Sequence, residues 1–453
     1  MLKLWLFTDT HFYTRNPMPA EPPESGQKCV LESAAILDAA LAEFLAEPDC
    51  DTLLLAGDLT CDGWADEHRG LLERLHKVRA AGKRIIAITA THDYDQAKKE
   101  RNTTGLPPLE HPEGKVFREE LPLLYHAFGP GDAIARCEAD GFSYVAQLGP
   151  GYRILCLNDD GNGRSFCGFD ENVMAWALGQ IAEAKAAGDC VFGMTHHPSR
   201  PPSPIYPIIS KRDMLGDWEN CTRTLADAGL RCMFTGHSHM HNIGPMATPG
   251  GNAYWDVNTA ALVGYPGVFR TLELEGGVLR VGTRAIKDFA WDKGGLTARE
   301  YLEKTFDSLL RSIIESAGTD RERFARHANG FSVSAGTVQK NWFVIKLAGK
   351  FVNKITVGGL GALLLCRHGI PKPARKISVK ELFLEFVRNI YAGEEHYGPE
   401  TPVGQSMLAV ARRLTPVLRR PLAKLGVEDV PAFLLSLIYD DSPDDAIEID
   451  LKR

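Results

Sequence analysis

Five short apolar runs, each of strand length and each ending on Asp or His, constrain this chain more than any other feature. Leu2–Phe7 runs into Asp9-Thr10-His11, and Thr52–Ala56 into Gly57-Asp58. Arg84–Thr89 runs into Ala90-Thr91-His92-Asp93, Val191–Met194 into His196-His197, and Cys232–Phe234 into Gly236-His237-Ser238-His239. Apolar, β-branched runs bounded by polar residues read as buried strands. Amphipathic stretches at Lys28–Ala46 and Asp66–Ala81 separate the first three and predict helices. Strand and helix in alternation predict a parallel-type α/β sheet. Such sheets bind ligands at the carboxyl ends of their strands, so all five endings fall on one functional edge.

The rest of the chain fills in around that edge. The loop Phe12–Gln27, rich in Pro, Glu and Gly, follows the first ending and lies at the mouth of the expected site. Lys98–Asp140 breaks the alternation, and Gly141–Gln147 with Tyr152–Asn158 predicts a hairpin about Gly149-Pro150-Gly151. Helices are expected at Asp170–Ala187, with Asp170 as N-cap, and at Met214–Ala228. Tyr254–Val257, Val268–Leu274 and Leu279–Thr283 predict closing, mainly antiparallel strands. Beyond Trp291–Thr297 the pattern is helical: Ala298–Ala317, Asp320–Asn329, Ala335–Asn353, Val379–Ala392, Gly404–Leu425 and Asp429–Tyr439. The expected division is an α/β domain over 1–290 and an all-α domain over 295–453.

The formal net charge of −7 excludes a nucleic-acid platform built on bulk positive charge. Ten scattered cysteines with no CxxC read as reduced thiols of a cytoplasmic protein. Met1-Leu2-Lys3-Leu4-Trp5 opens directly on a strand, without the pattern of a secretory leader. Val357–Cys366 is too short to span a bilayer as a helix. No membrane partner is expected.

Residues i and i+2 of an extended segment point to one side, so Asp9/His11 and His237/His239 are expected to be two pre-aimed pairs. Asp58 and His196 each end a strand alone. Singly, a His beside a strand is usually structural; five endings at one edge are a different matter. Seven of the fourteen histidines cluster there: His11, His92, His196, His197, His237, His239 and His241. The others, including His68, His76 and His327, read as surface. A mixed Asp/His donor set suits Mn, Fe, Zn or Co. Two such ions about 3.5–4 Å apart, sharing a carboxylate and a water, recur in phosphoester hydrolysis. Asp58, with two oxygens, is the natural bridge.

The blocks Asp9-Thr10-His11, Gly57-Asp58, Ala90-Thr91-His92-Asp93, Thr195-His196-His197-Pro198 and Gly236-His237-Ser238-His239 resemble, in order, those of the calcineurin-like metallophosphoesterases. The family pattern is DxH, GDxx, GNH(D/E), a His often in HHP, and GHxH, here spread over roughly the first 285 residues. The resemblance implies a four-layer α/β sandwich with a dinuclear metal centre. One ion would take Asp9, His11, Asp58 and His239; the other Asp58, His196, His237 and the residue at 91. The family's Asn ligand is Thr91 here, and the preceding Gly is Ala90, which implies weaker binding at the second position. A hydroxide bridging the ions would attack in line, with His92 as acid at the leaving oxygen and Asp93 orienting it.

Helical C-terminal additions in this family resemble those of cyclic-nucleotide-type phosphodiesterases, so the expected partner is a small phosphoester substrate, a phosphodiester. The alternatives are a phosphomonoesterase and a metal-binding scaffold weakened in catalysis. Expected substrate contacts are His197 and His241, with Phe12, Tyr13, Tyr94, Asn162, Arg164 and Arg200 as further candidates.

Overall fold

Among the described residues of this protein, seen in a computed structural model, thirteen strands build two mixed sheets. They are β1 (Leu2–Phe7), β2 (Thr52–Ala56), β3 (Arg84–Ile88), β4 (Ala135–Arg136), β5 (Tyr144–Gly149), β6 (Tyr152–Cys156) and β7 (Cys190–Met194). β8 (Cys232–Thr235), β9 (Asn242–Ala247), β10 (Ala253–Asn258), β11 (Val268–Glu275), β12 (Val278–Ala285) and β13 (Ile447–Asp450) follow. One sheet has the order β13-β12-β11-β1-β2-β3 and the other β4-β5-β6-β7-β8-β10-β9. The structure describes all residues except 16–17, 19–25, 97–105, 111–113, 161–166, 330–333 and 453.

Strand alternation explains the layering. Leu4, Leu6, Leu54 and Ile86 of the first sheet and Ala146, Ile154, Phe192 and Phe234 of the second share one buried cluster between the sheets. The opposite face of the second sheet, through Val145, Leu155, Val191 and Met233, packs on Ala177 and Ile181 of helix Glu171–Ala187 and on Leu225 of helix Trp218–Ala228. On the first sheet's outer face, Trp5 meets Phe44 of helix Ser33–Ala46, ring centroids 5.6 Å apart. Helix, sheet, sheet and helix give the four layers. Each buried aliphatic or aromatic side chain stabilises this stack by roughly 1.5–3 kcal/mol.

β1, β2 and β3 run parallel, as do β6, β7 and β8, so their carboxyl ends collect at one edge of each sheet. The expected helix at Lys28–Ala46 begins only at Ser33. Ahead of it the chain is tied elsewhere, with Cys29 N–H donating to Val263 O at 2.7 Å. The expected helix at Met214–Ala228 likewise begins at Trp218.

Two compact units are present: Met1–Pro202, Arg212–Leu302 and Pro443–Arg453; and Ser203–Lys211 with Glu303–Ser442. The division at 290/295 therefore differs at the C-terminus. β13 pairs antiparallel with β12, and its alternating Ile447 and Ile449 join the inter-sheet core. The second unit packs helices including Val379–Ala392 and Pro402–Ala423 about Val357, Ile370, Leu382, Val403 and Ile438. Ser378 and Thr401 cap those two helices by accepting from Glu381 N and Gly404 N. Among the described residues, no helix is long and apolar enough to cross a membrane.

Candidate metal centre

Where the strands end, the backbone turns into an unusual conformation. Asp9, His11, Asp58, His237 and His239 have φ of 51°, 35°, 48°, 62° and 58°, five of the seven positive-φ non-glycine residues described. Each such residue costs of order 1–3 kcal/mol and persists only where surrounding structure over-determines it. The ladder between β1 and β2 supplies that support by continuing past the strands: Asp9 N–H donates to Gly57 O at 3.1 Å and His11 N–H to Asp58 O at 3.0 Å. The expectation of extended Asp9/His11 and His237/His239 pairs is thus corrected. Both members of each pair are left-handed, and the turned backbone, not strand alternation, aims them inward.

They do converge. His11 Nε2 and His239 Nε2 face each other across 3.1 Å. Asp9 Oδ1 is 3.7 Å from the first and 3.4 Å from the second. Asp58 Oδ2 lies 3.1 Å from His196 Nε2 and 4.0 Å from His11 Nε2. Asp9, His11 and His239 form one set, Asp58, His196 and His237 another, and His11, Asp58 and His92 a third, in each of which one ligand atom per residue lies within 4.8 Å of the others. Neighbouring groups fix the rings and carboxylates. His196 Nδ1–H donates to Ala56 O at 2.8 Å, which aims Nε2 into the pocket. Asp9 accepts from Thr8 Oγ1 at 2.6 Å and His237 N at 3.0 Å, and Asp58 Oδ1 from His92 N at 2.9 Å. Two glycines make room. A Cβ on Gly57, whose φ is +89°, would lie 2.7 Å from His196 Nδ1, and one on Gly236 would collide with the Thr8 hydroxyl and the Asp9 carboxylate.

Charge and burial conflict here in the way a cation resolves. His237 Nδ1 and His239 Nδ1 are buried without hydrogen-bond partners, and His196 Nε2 meets the Asp58 carboxylate. Burial alone would depress the His196 imidazolium, but Asp58, helped by Asp9 and Asp159, holds it up at about 10. Burial likewise opposes ionisation of Asp58, yet His196 and His92 keep its carboxyl well below the usual range. Burial drives His11 and His237 the other way, well below the usual imidazole range, leaving them neutral and able to ligate. Carboxylates beside neutral, unpartnered imidazoles fit a divalent cation.

At the rim, His92 is half-buried, with Nδ1–H donated to Cys61 O at 2.7 Å and Asp62 Oδ1 3.3 Å away. Lys28 Nζ lies 3.5 Å from His92 Nε2 and 3.4 Å from His11 Nδ1. Asp93 does not orient the His92 ring. Its carboxylate accepts from Thr60 N and Ala90 N, both at 2.8 Å, and so clamps the turn that carries His92. Burial first, then Asp58, pushes the Asp93 carboxyl up to about 7.

A family model described as calcineurin-like phosphoesterase matches residues 2–241. The chain belongs to this family. Members are metal-dependent hydrolases of phosphoesters, and the dimetal requirement meets a His/Asp cluster able to satisfy it. Solved structures similar to this phosphoesterase include a dimetal phosphatase from Danio rerio, at 13% identity over 64% of this chain and 98% of that one, TM-score 0.45. A 5′-nucleotidase precursor from Thermus thermophilus is 16% identical over 64% and 53%, TM-score 0.32. The NAD nucleotidase of Haemophilus influenzae is 12% identical over 79% and 61%, TM-score 0.29. No curated protein matches the chain.

His197 and His241, expected as substrate contacts, are both buried against protein groups. His197 is buried with Nδ1 2.9 Å from Asp159 Oδ1 and Nε2 2.8 Å from Cys167 Sγ, and its ring stacks 4.0 Å from that of His237. It backs a ligand candidate. His241 is buried too, with Nε2 3.1 Å from Thr283 Oγ1, and burial with the nearby Arg270 holds it down at about 3. Phe12 and Tyr13 are buried in the fold, and the Arg200 guanidinium lies over the Trp218 ring. Tyr94 is half-buried; Asn162 and Arg164 lie outside the described residues. Thr91 opens the turn Thr91–Asp93. His68, expected at the surface, is fully buried and bonds Tyr125 Oη at 2.9 Å and Asp93 O at 3.0 Å, bracing the same turn.

Sequence reasoning missed Lys28, Asp62, Asp159 and Cys167. Asp159 had a signal, since it follows the apolar β6 as the other acids follow theirs. It accepts from Thr195 Oγ1 at 2.8 Å and His197 N at 2.7 Å.

Proposed function

We propose that this phosphoesterase hydrolyses phosphodiesters of small molecules. One observation supports the reading above the others: a buried set of carboxylates and unpartnered imidazole nitrogens adjoins His92 Nε2 and the Lys28 ammonium. Asp9, His11, Asp58 and His239 would hold one divalent ion, and Asp58, His196 and His237, with Thr91, a second. Mn, Fe, Zn and Co suit these donors. Bound ions lower the pKa of water and neutralise phosphoryl oxygens. The remaining work falls to the chain. Lys28 pairs with a non-bridging phosphoryl oxygen. His92, its ring set by the Cys61 carbonyl, carries a proton at Nε2 to the leaving oxygen. Thr91 offers a short hydroxyl in place of a carboxamide, so the second ion is the weaker one.

Among the described residues, the Lys28 ammonium beside His92 matches the single charge of a diester. Ten cysteines, all buried and with no disulfide among the described residues, support a reducing, cytoplasmic setting. The test is turnover of bis-p-nitrophenyl phosphate against p-nitrophenyl phosphate by the Mn-loaded protein. Faster diester hydrolysis is expected. Faster monoester hydrolysis overturns the diester preference, and inertness towards both favours a scaffold.

A further inference from the structure

The second unit carries a surface unrelated to this chemistry. From Arg323 to Lys380 the chain has eleven Lys and Arg and no Asp or Glu, within a molecule of formal net charge −7. Helix Ala335–Val352 lies in the middle of this stretch, and only Val338 and Gly349 of it are buried. At 3.6 residues per turn these two share one side with the half-buried Trp342, Ile345 and Val352. The opposite side presents Phe343, Val344, Leu347 and Phe351, exposed by 80%, 66%, 64% and 39%. Lys340, Lys346, Lys350 and Lys354 are exposed around them.

An ordinary surface helix turns its apolar stripe inward and its charges outward. This helix has an inward stripe and a second, outward one of large aromatic and aliphatic side chains. A contiguous exposed patch of that kind marks an interaction surface. Its chemistry selects the occupant. Acyl chains accept Phe, Val and Leu, while anionic headgroups accept Lys, whose long stems reach from apolar surface to charge. A nucleic acid would satisfy the lysines but give Val344 and Leu347 no partner. A second copy set face to face would oppose Lys to Lys. Three lysines inside eighteen residues bar the helix from crossing a bilayer, which leaves it lying in the interface plane.

We propose that helix Ala335–Val352 docks this protein on an anionic lipid bilayer. Phe343, Val344, Leu347 and Phe351 enter the boundary between headgroups and acyl chains, and Lys340, Lys346, Lys350 and Lys354 pair with lipid phosphates. This differs from the sequence expectation of no membrane partner, and it stands apart from the reading of the metal centre.

The experiment is co-sedimentation of the full chain with vesicles of phosphatidylcholine alone and of phosphatidylcholine with phosphatidylglycerol in equal parts. The anionic vesicles should retain it at least about tenfold better, and less so as salt rises, since each Lys near such a surface contributes about fivefold. Combined Phe343→Ser, Leu347→Ser and Phe351→Ser should lower retention at least about tenfold. Lys340→Gln with Lys346→Gln, Lys350→Gln and Lys354→Gln should abolish the preference for phosphatidylglycerol. Hydrogen exchange of the wild type gives a readout free of folding artefacts: residues 335–352 should slow on anionic vesicles. The proposal is overturned by equal retention on both vesicles, by unchanged retention of the Ser variant, or by unchanged exchange in 335–352. It is equally overturned if duplex DNA competes the protein off vesicles at lower phosphate concentration than fresh vesicles do, or if sizing shows this face sealed in a dimer.

Discussion

Replacing His92 by Ala separates chemistry from metal binding. The imidazole is one third exposed, with Nδ1 on the Cys61 carbonyl, so its loss opens no core cavity. One link to the metal centre is the backbone N–H on Asp58 Oδ1 at 2.9 Å, which alanine retains; the ring stands close to His11 and Asp58 but is not among the proposed ligands. Metal content should therefore stay at the wild-type level by elemental analysis. Loss of a general acid lowers turnover by roughly 10²–10⁴-fold, or about 2.7–5.5 kcal/mol of barrier. The size should track the leaving group. A p-nitrophenolate departs with little help, so the loss on bis-p-nitrophenyl phosphate should lie near the low end. An alkoxide needs its proton, so a dialkyl ester should lose close to the upper figure. The assay is the steady-state rate on an aryl and an alkyl diester at matched Mn. An equal loss on both esters would refute the acid role, and a loss of turnover that merely follows a loss of metal would refute the separation.

Lys28→Met should raise KM for a diester by about tenfold or more, as expected when one charge-assisted contact of about 1.5–3 kcal/mol is lost, with metal content unchanged; an unaltered KM removes Lys28 from the phosphate site. Gly57→Ala places a Cβ 2.7 Å from His196 Nδ1 at φ +89°. Left-handed strain and overpacking together should destabilise the metal-free protein by roughly 2–5 kcal/mol in urea unfolding. Thr91→Asn should raise occupancy of the second ion, and unchanged metal content counts against the assigned ligand. Glu67 is buried, its Oε2 accepting from Asp62 N and Trp64 N while Oε1 has no partner, and burial pushes its carboxyl up from 4.5 to about 7. The folded state thus holds this proton more tightly than the unfolded one, so this group's contribution to stability falls as pH rises from about 4.5 to about 7. Stability of Glu67→Gln relative to wild type should climb across that window by of order 3 kcal/mol and then level off; a flat difference by chemical unfolding refutes it.

The strand order of the site was legible because apolar runs stop on the residues that matter. Leu2–Phe7 cannot continue through Asp9, nor Thr52–Ala56 through Asp58, without burying an unpaired charge. The left-handed turns at Asp9, His11, Asp58, His237 and His239 were not legible, because only glycine advertises positive φ in a sequence. His92 was found by its neighbours in the chain, but its partner was a carbonyl, Cys61 O, which no side-chain pattern encodes. Asp93, adjacent in sequence, was assigned the role that this carbonyl and Asp62 share. Lys28 reaches the site because residues before Ser33 leave the helix for a hydrogen bond to Val263, a contact made across 234 positions of sequence. The last strand, Ile447–Asp450, is four residues long and alternates like a surface segment until β12 is there to pair with it.

Crystals of the Mn-loaded protein, examined by anomalous scattering, test the central claim most directly. Two peaks about 3.5–4 Å apart on either side of Asp58 are predicted, the stronger among Asp9, His11 and His239 and the weaker beside His196 and His237. An empty pocket, or manganese bound only elsewhere on the molecule, would contradict the account.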